Sequence, residues 1–152
     1  MTVYIIAIIV CIIFSGFFSA SEMAYSSCNH VRLENARDDG SRRAGVAVRI
    51  TEKYDDALSA ILIGNNLVNI AASSLGSVAV IMVLGSDDYA WLSTVIITIA
   101  VIIFGETVPK ITAKKNANRL AMANAYIVRF LMYLLKPVTL IVVGLVNLIT
   151  RG

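Results

Sequence analysis

Apolar residues in this chain run in long blocks, and the polar residues that interrupt the blocks fall at helical spacing. Val3 to about Ala24, Ala57 to Leu84, and Ala90 to Phe104 with its Glu-Thr-Val-Pro continuation are each long enough to cross a bilayer, which takes about 20 helical residues. A fourth apolar stretch, Tyr126 to Thr150, is interrupted by Lys136-Pro137. Between the first two blocks lie two short amphipathic stretches separated by the turn-forming run Asp38-Asp39-Gly40-Ser41. The pattern predicts an all-α membrane protein that is a single transmembrane domain over residues 1–152. Its parts are three transmembrane helices at 1–27, 57–84 and 89–110, a short cytoplasmic helix pair within 30–56, and a juxtamembrane interfacial helix over 116–150. The first block has no basic leader and runs unbroken into Phe17-Phe18-Ser19-Ala20-Ser21-Glu22, so it reads as a retained span and not a cleaved signal.

Composition agrees: a chain of 152 residues that is 58% hydrophobic, with a mean hydropathy of +0.79, lies outside the soluble range. Charge adds an orientation. Arg32, Arg37, Arg42, Arg43, Arg49 and Lys53 lie between the first two spans, and Lys110, Lys114, Lys115 and Arg119 follow the third, whereas Gly85-Ser86-Asp87-Asp88-Tyr89 has no basic residue. The positive-inside rule then gives a multi-pass cell-membrane protein with its N-terminus outside and its C-terminus cytoplasmic. Arg129, Lys136 and Arg151, with no acidic residue after Glu106, suit a kinked helix on the inner leaflet. Leu140 to Ile149 is apolar enough to keep a fourth crossing open.

Several classes drop out. The six basic residues of the first loop are balanced by Glu34, Asp38, Asp39, Glu52, Asp55 and Asp56, which predicts a solvated, salt-bridged helix pair. The net charge of +3 is spread along membrane edges without aromatic interleaving, which argues against nucleic acid as a partner. His30, Cys11 and Cys28 lack metal-ligand spacing, and the cysteines read as small apolar side chains. No Ser/His/Asp or Cys/His set and no Gly-rich phosphate loop is present, so the expectation is a protein that is not an enzyme.

Candidate chemistry centres on Gly105-Glu106-Thr107-Val108-Pro109-Lys110. A carboxylate in a hydrocarbon slab costs a few kcal/mol, so Glu106 points to an ion path or a buried pair. Pro109 has no N–H for the carbonyl four residues earlier, which leaves the Gly105 oxygen free beside Glu106. In the first span Ser15, Ser19 and Glu22 share one helical face, while Ser21 joins them only through a local π-bulge, which Gly16 would ease. In the second, Asn65 and Asn69 are one turn apart and Ser73 extends their row. In the third, Thr94, Thr98 and Gly105 lead to Glu106. Three polar faces predict a shared pocket near the cytoplasmic half, lined by the hard oxygen ligands that Mg²⁺, Ca²⁺ and Na⁺ prefer. The competing reading is structural. Gly, Ser, Thr and Asn are also ordinary packing residues of membrane helices, and Gly76, Gly85, Ala71, Ala72 and Ser74 suit packing within or between subunits. Glu106 would then pair with Lys110 one turn on, and Glu22 with a nearby basic group.

Ser15-Gly16-Phe17-Phe18-Ser19, Gly64-Asn65-Asn66-Leu67-Val68-Asn69 and Gly105-Glu106-Thr107-Val108-Pro109-Lys110, in this order on three apolar segments, resemble the transmembrane domain of the CorC/cyclin M family of magnesium transporters. The resemblance implies three transmembrane helices, a short helix pair after the first and a juxtamembrane helix after the third. It further implies a homodimer that exports Mg²⁺ coupled to Na⁺ entry through an inward-facing polar pocket. Carried over by motif, that pocket uses Ser15, Ser19, Asn65, Asn69, the Gly105 carbonyl and Glu106, with Ser21 and Glu22 added from the end of the first span and Gly16, Pro109 and Lys110 in support. Family members continue into cytoplasmic CBS modules, which lie outside these 152 residues. The rival function is a non-transporting membrane sensor or scaffold that binds Mg²⁺ and reports it to cytoplasmic partners.

Overall fold

A bilayer offers no water to exposed amides and carbonyls, so each apolar block must satisfy its backbone internally, and each becomes a helix. The computed structural model describes Met1–Gly152 and contains helices and turns without any strand. Three helices are long and apolar enough to span a membrane: α1 (Thr2–Ser27), α4 (Tyr54–Leu84), and a third running from Ala90 to Lys115. The third comprises α5 (Ala90–Ala100), a π-helical segment (Val101–Thr107) and α6 (Val108–Lys115). The break in regular winding therefore falls in the third span, while α1 stays α-helical past Gly16. The third span also outlasts its expected end at 110, because Pro109 sits in the first turn of α6, where its missing N–H is tolerated.

Helix ends follow local chemistry. α4 starts at Tyr54, ahead of the apolar block, because Asp55 and Asp56 in its first turn complement the positive end of the helix dipole. It stops at Gly85, whose φ of 68° suits glycine and whose N–H donates to the Ile81 carbonyl at 2.8 Å. Asn29 and Ser41 cap α2 (His30–Asp38) and α3 (Arg42–Glu52) by accepting from the amides of Arg32 and Ala44. His30 is an exposed first residue of α2.

Salt bridges do not hold the α2–α3 pair together, contrary to its charge balance. The one ion pair there, Arg37–Asp38 at 3.3 Å, joins exposed sequence neighbours and is worth little. Instead Leu33, Val46, Ala47, Val48 and Ile50 are buried with Phe18, Tyr25 and Ile61 in the main apolar cluster, at the end of the spans where α1 finishes and α4 begins. Both cysteines are free.

The region expected as one juxtamembrane helix is three: α7 (Ala117–Ala123), α8 (Ala125–Leu134) and α9 (Lys136–Arg151). Pro137, in the first turn of α9, prevents continuous winding from α8, and the two axes meet at 77°. Ala113, Ala117, Ala121 and Ala125, four residues apart, form a nearly fully buried seam. This seam lets α6, α7 and α8 approach α1 and α3 closely. Polar contacts lock it: the Tyr25 hydroxyl donates to the Ala121 carbonyl at 2.7 Å, and Asn118 exchanges hydrogen bonds with the Asn29 backbone at 2.8 and 3.2 Å. Away from this end, Ile9, Ile13, Ile70, Ile96 and Phe104 remain exposed, as lipid-facing side chains are.

Candidate functional site

The three spans meet at Ser15. Its hydroxyl, fully buried, donates to Asn65 Oδ1 at 3.0 Å, and the Gly105 carbonyl lies 3.5 Å away as a second acceptor. Ser15, Asn65 and Gly105 thus come together from α1, α4 and the π-helical segment, as their motifs predicted. Closeness here depends on glycine. A Cβ on Gly105 would sit 2.8 Å from Ser15 Oγ, and one on Gly16 would meet Pro109 Cγ at 3.3 Å and the Phe104 carbonyl at 3.5 Å. Gly105→Ala should therefore displace Ser15 and lower stability by about 1–3 kcal/mol, read as a fall in thermal midpoint that Gly144→Ala, with nothing near its Cβ, does not share.

Around that junction sit two buried oxygens with no partner, Ser19 Oγ and Asn69 Oδ1. Phe18 packs on Gly64, Ser15 on Asn65, and Ile8 and Cys11 near Ala72, so α1 and α4 run antiparallel. Ser19 and Asn69 consequently lie one turn to either side of the Ser15–Asn65 bond, with Cα atoms separated by about 12 Å along the bundle. Amides and hydroxyls buried among apolar helices are nearly always bonded, which makes this pair of unmet oxygens informative.

Electrostatics divides the two carboxylates. Lys110 Nζ lies 3.6 Å from Glu22, both side chains about one-third exposed or less. Glu106, half-buried, forms no ion pair, since the chain's salt bridges are Arg37–Asp38 and Lys110–Glu22. The pairing of Glu106 with Lys110 is thus replaced by one across α1 and α6, and Glu22 does find its basic group. The π winding explains why: the Val108 amide reaches back five residues to Ile103, so residues 106 and 110 no longer stack as in an α-helix. In the same register the carbonyl that Pro109 leaves without an amide is that of Phe104, beside Gly16, while the Gly105 oxygen faces Ser15.

Three sequence-derived candidates lie elsewhere. Ser21 is buried, but its Oγ accepts from Asn124 Nδ2 at 3.0 Å, which ties α1 to the start of α8 and away from the Ser15 junction. Thr94 and Thr98 are exposed and donate to carbonyls of their own helix, Ala90 and Thr94. The inward face of α5 is instead Ser93 and Ile97, which pack where a Cβ on Gly76 would stand. Asn124 and Ser93 were not singled out by the sequence reading. A signal for Asn124 existed in the Ala113-Ala117-Ala121-Ala125 spacing, which marks a close helix contact next to it.

No three His, Cys, Asp or Glu side chains converge in the chain. A cation held at this junction would rest on neutral hydroxyl, amide and carbonyl oxygens, a donor set for hard ions with part of their hydration retained, while Glu106, next in sequence to Gly105, forms no hydrogen bond with Ser15 or Asn65.

The chain is similar in sequence to known proteins. The profile described as the cyclin M transmembrane N-terminal domain matches residues 6–152. A UPF0053 protein of Haemophilus influenzae is 34% identical over 151 residues, covering 99% of this chain and 34% of its own length. The UPF0053 inner membrane protein YfjD of Escherichia coli is 34% identical over 137 residues, covering 90% of this chain and 31% of its own. The chain therefore spans about a third of the length of these relatives. With three helices long and apolar enough to span a membrane and a match across nearly its whole length, this chain belongs to the cyclin M transmembrane N-terminal domain family.

Proposed function

We propose that this domain transports Mg²⁺, exporting it in exchange for Na⁺ entry through a polar pocket open to the cytoplasmic side. The reading rests chiefly on Ser19 Oγ and Asn69 Oδ1, buried acceptors left unmet on either side of the Ser15–Asn65 bond. Leaving such groups unpaired costs about 1–3 kcal/mol each, a penalty with a purpose if a passing ion or its water occupies them. Mg²⁺ holds oxygens at about 2.1 Å, so one ion cannot bond directly to ligands spread over two helical turns. It would move as a partly hydrated ion, drawn in by Glu106 and handed between Ser19, the Gly105 carbonyl and Asn69 through retained water. The more weakly hydrated Na⁺ would use the same oxygens in the return step. No bond is made or broken in this scheme, so the domain acts without enzymatic chemistry.

Orientation follows from charge. Arg42, Arg49, Lys53, Lys114 and Lys115 gather at the end where α1 finishes, α4 starts and α6 finishes, which supports a cytoplasmic assignment of that end; the C-terminus would share it if α9 does not cross. α8 and α9 lie along the inner leaflet beside it, two copies of the chain sit side by side, and CBS modules follow.

Purified protein in sealed vesicles carrying an Mg²⁺ indicator tests the proposal. Wild type should pass Mg²⁺ at a rate that rises with an opposing Na⁺ gradient. Asn69→Leu should slow that flux about tenfold yet raise the thermal midpoint, because it removes an unmet buried acceptor. Wild-type flux no faster than in protein-free vesicles would sink transport. If Mg²⁺ still stabilised the protein in that case, the sensor or scaffold reading would replace it.

A further inference from the structure

A cavity lined by charged side chains lies apart from the Ser15 junction, at the corner where α3 passes into α4 and where α8 bends into α9. Its volume is about 450 Å³. Four cationic side chains line it: Arg49 and Lys53 from the α3–α4 corner, Arg129 from α8 and Lys136 from the start of α9. Glu52 and Asp56 are also in the wall, yet neither comes within ion-pair distance of any of the four, since the chain's salt bridges lie elsewhere. The four cations outnumber the two carboxylates in the lining, and none of them is neutralised by a close ion pair. Arg129 is held in place from one side, its guanidinium 5.9 Å from the centre of the Tyr133 ring. Thr139, only 4% exposed, also lines the cavity, and its Oγ1 has no hydrogen-bond partner.

We infer that this cavity binds the headgroup phosphate of an anionic phospholipid. Guanidinium and ammonium groups converging from four directions suit a phosphate oxyanion, and a free hydroxyl adds a neutral donor. The surroundings favour a lipid over a soluble phosphate ester. Tyr133 and Leu140, at 64% and 60% exposure, carry the wall onto the apolar outer face of α9, where Ile141 and Leu148 are equally open. An acyl chain along that face would leave its phosphate among the cations, at the depth where headgroups lie. Bound lipid would then clamp the 77° bend of α8 and α9 against the first turn of α4, the helix that carries Asn65 and Asn69.

The test uses the purified chain in a non-ionic detergent, with phosphatidylglycerol or phosphatidylcholine of matched acyl chains added. Phosphatidylglycerol should raise the thermal midpoint by about 5 °C more than phosphatidylcholine. Arg49→Gln with Arg129→Gln should abolish that difference, while Lys114→Gln with Lys115→Gln, an equal loss of charge elsewhere, should keep it. Native mass spectrometry of the wild type, which needs no variant to fold, should show one phosphatidylglycerol retained per chain in preference to phosphatidylcholine. The inference is overturned by equal stabilisation or retention of the two lipids, or by equal loss in both double variants. It is also overturned if soluble glycerol 3-phosphate alone reproduces the full shift, which would assign the cavity to a free phosphate ester.

Discussion

Glu106→Gln should lower Mg²⁺ flux in reconstituted vesicles about 100-fold while the helical fold stays intact. Gln keeps the size and shape of the side chain and removes only the charge. The carboxylate has no basic partner to release, because Lys110 is engaged with Glu22 at 3.6 Å, so the substitution strands no opposite charge. Removing an unpaired charge from the membrane interior relieves a cost of a few kcal/mol, and the thermal midpoint should hold or rise. A 100-fold loss corresponds to about 2.7 kcal/mol, a modest demand if this carboxylate meets a divalent cation on the proposed path. Glu22→Gln is the informative contrast: it leaves the Lys110 ammonium unpaired and should lower stability. Indicator flux and thermal unfolding on the same preparations separate the two effects. Unchanged flux in Glu106→Gln would remove this carboxylate from the ion path.

Gly64→Val should have the largest effect on folding. Even the Cβ of an alanine there would lie 2.7 Å from Phe18 Cζ and 2.8 Å from Cε1. Phe18 is 5% exposed within the main apolar cluster, so its ring has nowhere to turn. Valine adds two methyl groups to that overlap, and we expect a cost of about 3 kcal/mol or more, a large share of a marginal stability. Most of the variant should fail to appear as monodisperse protein. Because the strain is local and steric, Phe18→Ala in the same chain should recover much of it, and a double-mutant cycle should show strong coupling. A well-behaved single variant with an unchanged midpoint would show that α1 and α4 do not cross as closely as described.

Pairwise geometry separates what was legible in the linear pattern from what was not. Ser15, Asn65 and Gly105 each sit on a polar stripe of their own helix, and when three such stripes must all leave lipid they have only one another to face. Their meeting was thus foreseeable. Ser21 was not so easily placed: helical spacing puts it off the Ser15–Ser19 face, and its partner Asn124 lies far along the chain. Lys110 illustrates the same difficulty. At α-helical spacing it belongs to Glu106, but seven residues of π winding turn it towards α1 and Glu22.

By itself the sequence determined the all-helical class, the three spans and the polar face of α1 and α4. These follow from apolar length and periodicity, which are properties of one segment in one solvent. Tertiary structure alone decided whether Glu22 or Glu106 stays free, which buried oxygens lack partners, how the third span rewinds so that Gly105 faces Ser15, and which cations the bend of α8 into α9 gathers around one cavity. Each of these depends on distances of a few ångströms between residues remote in the chain, where a single turn of winding changes which groups can touch.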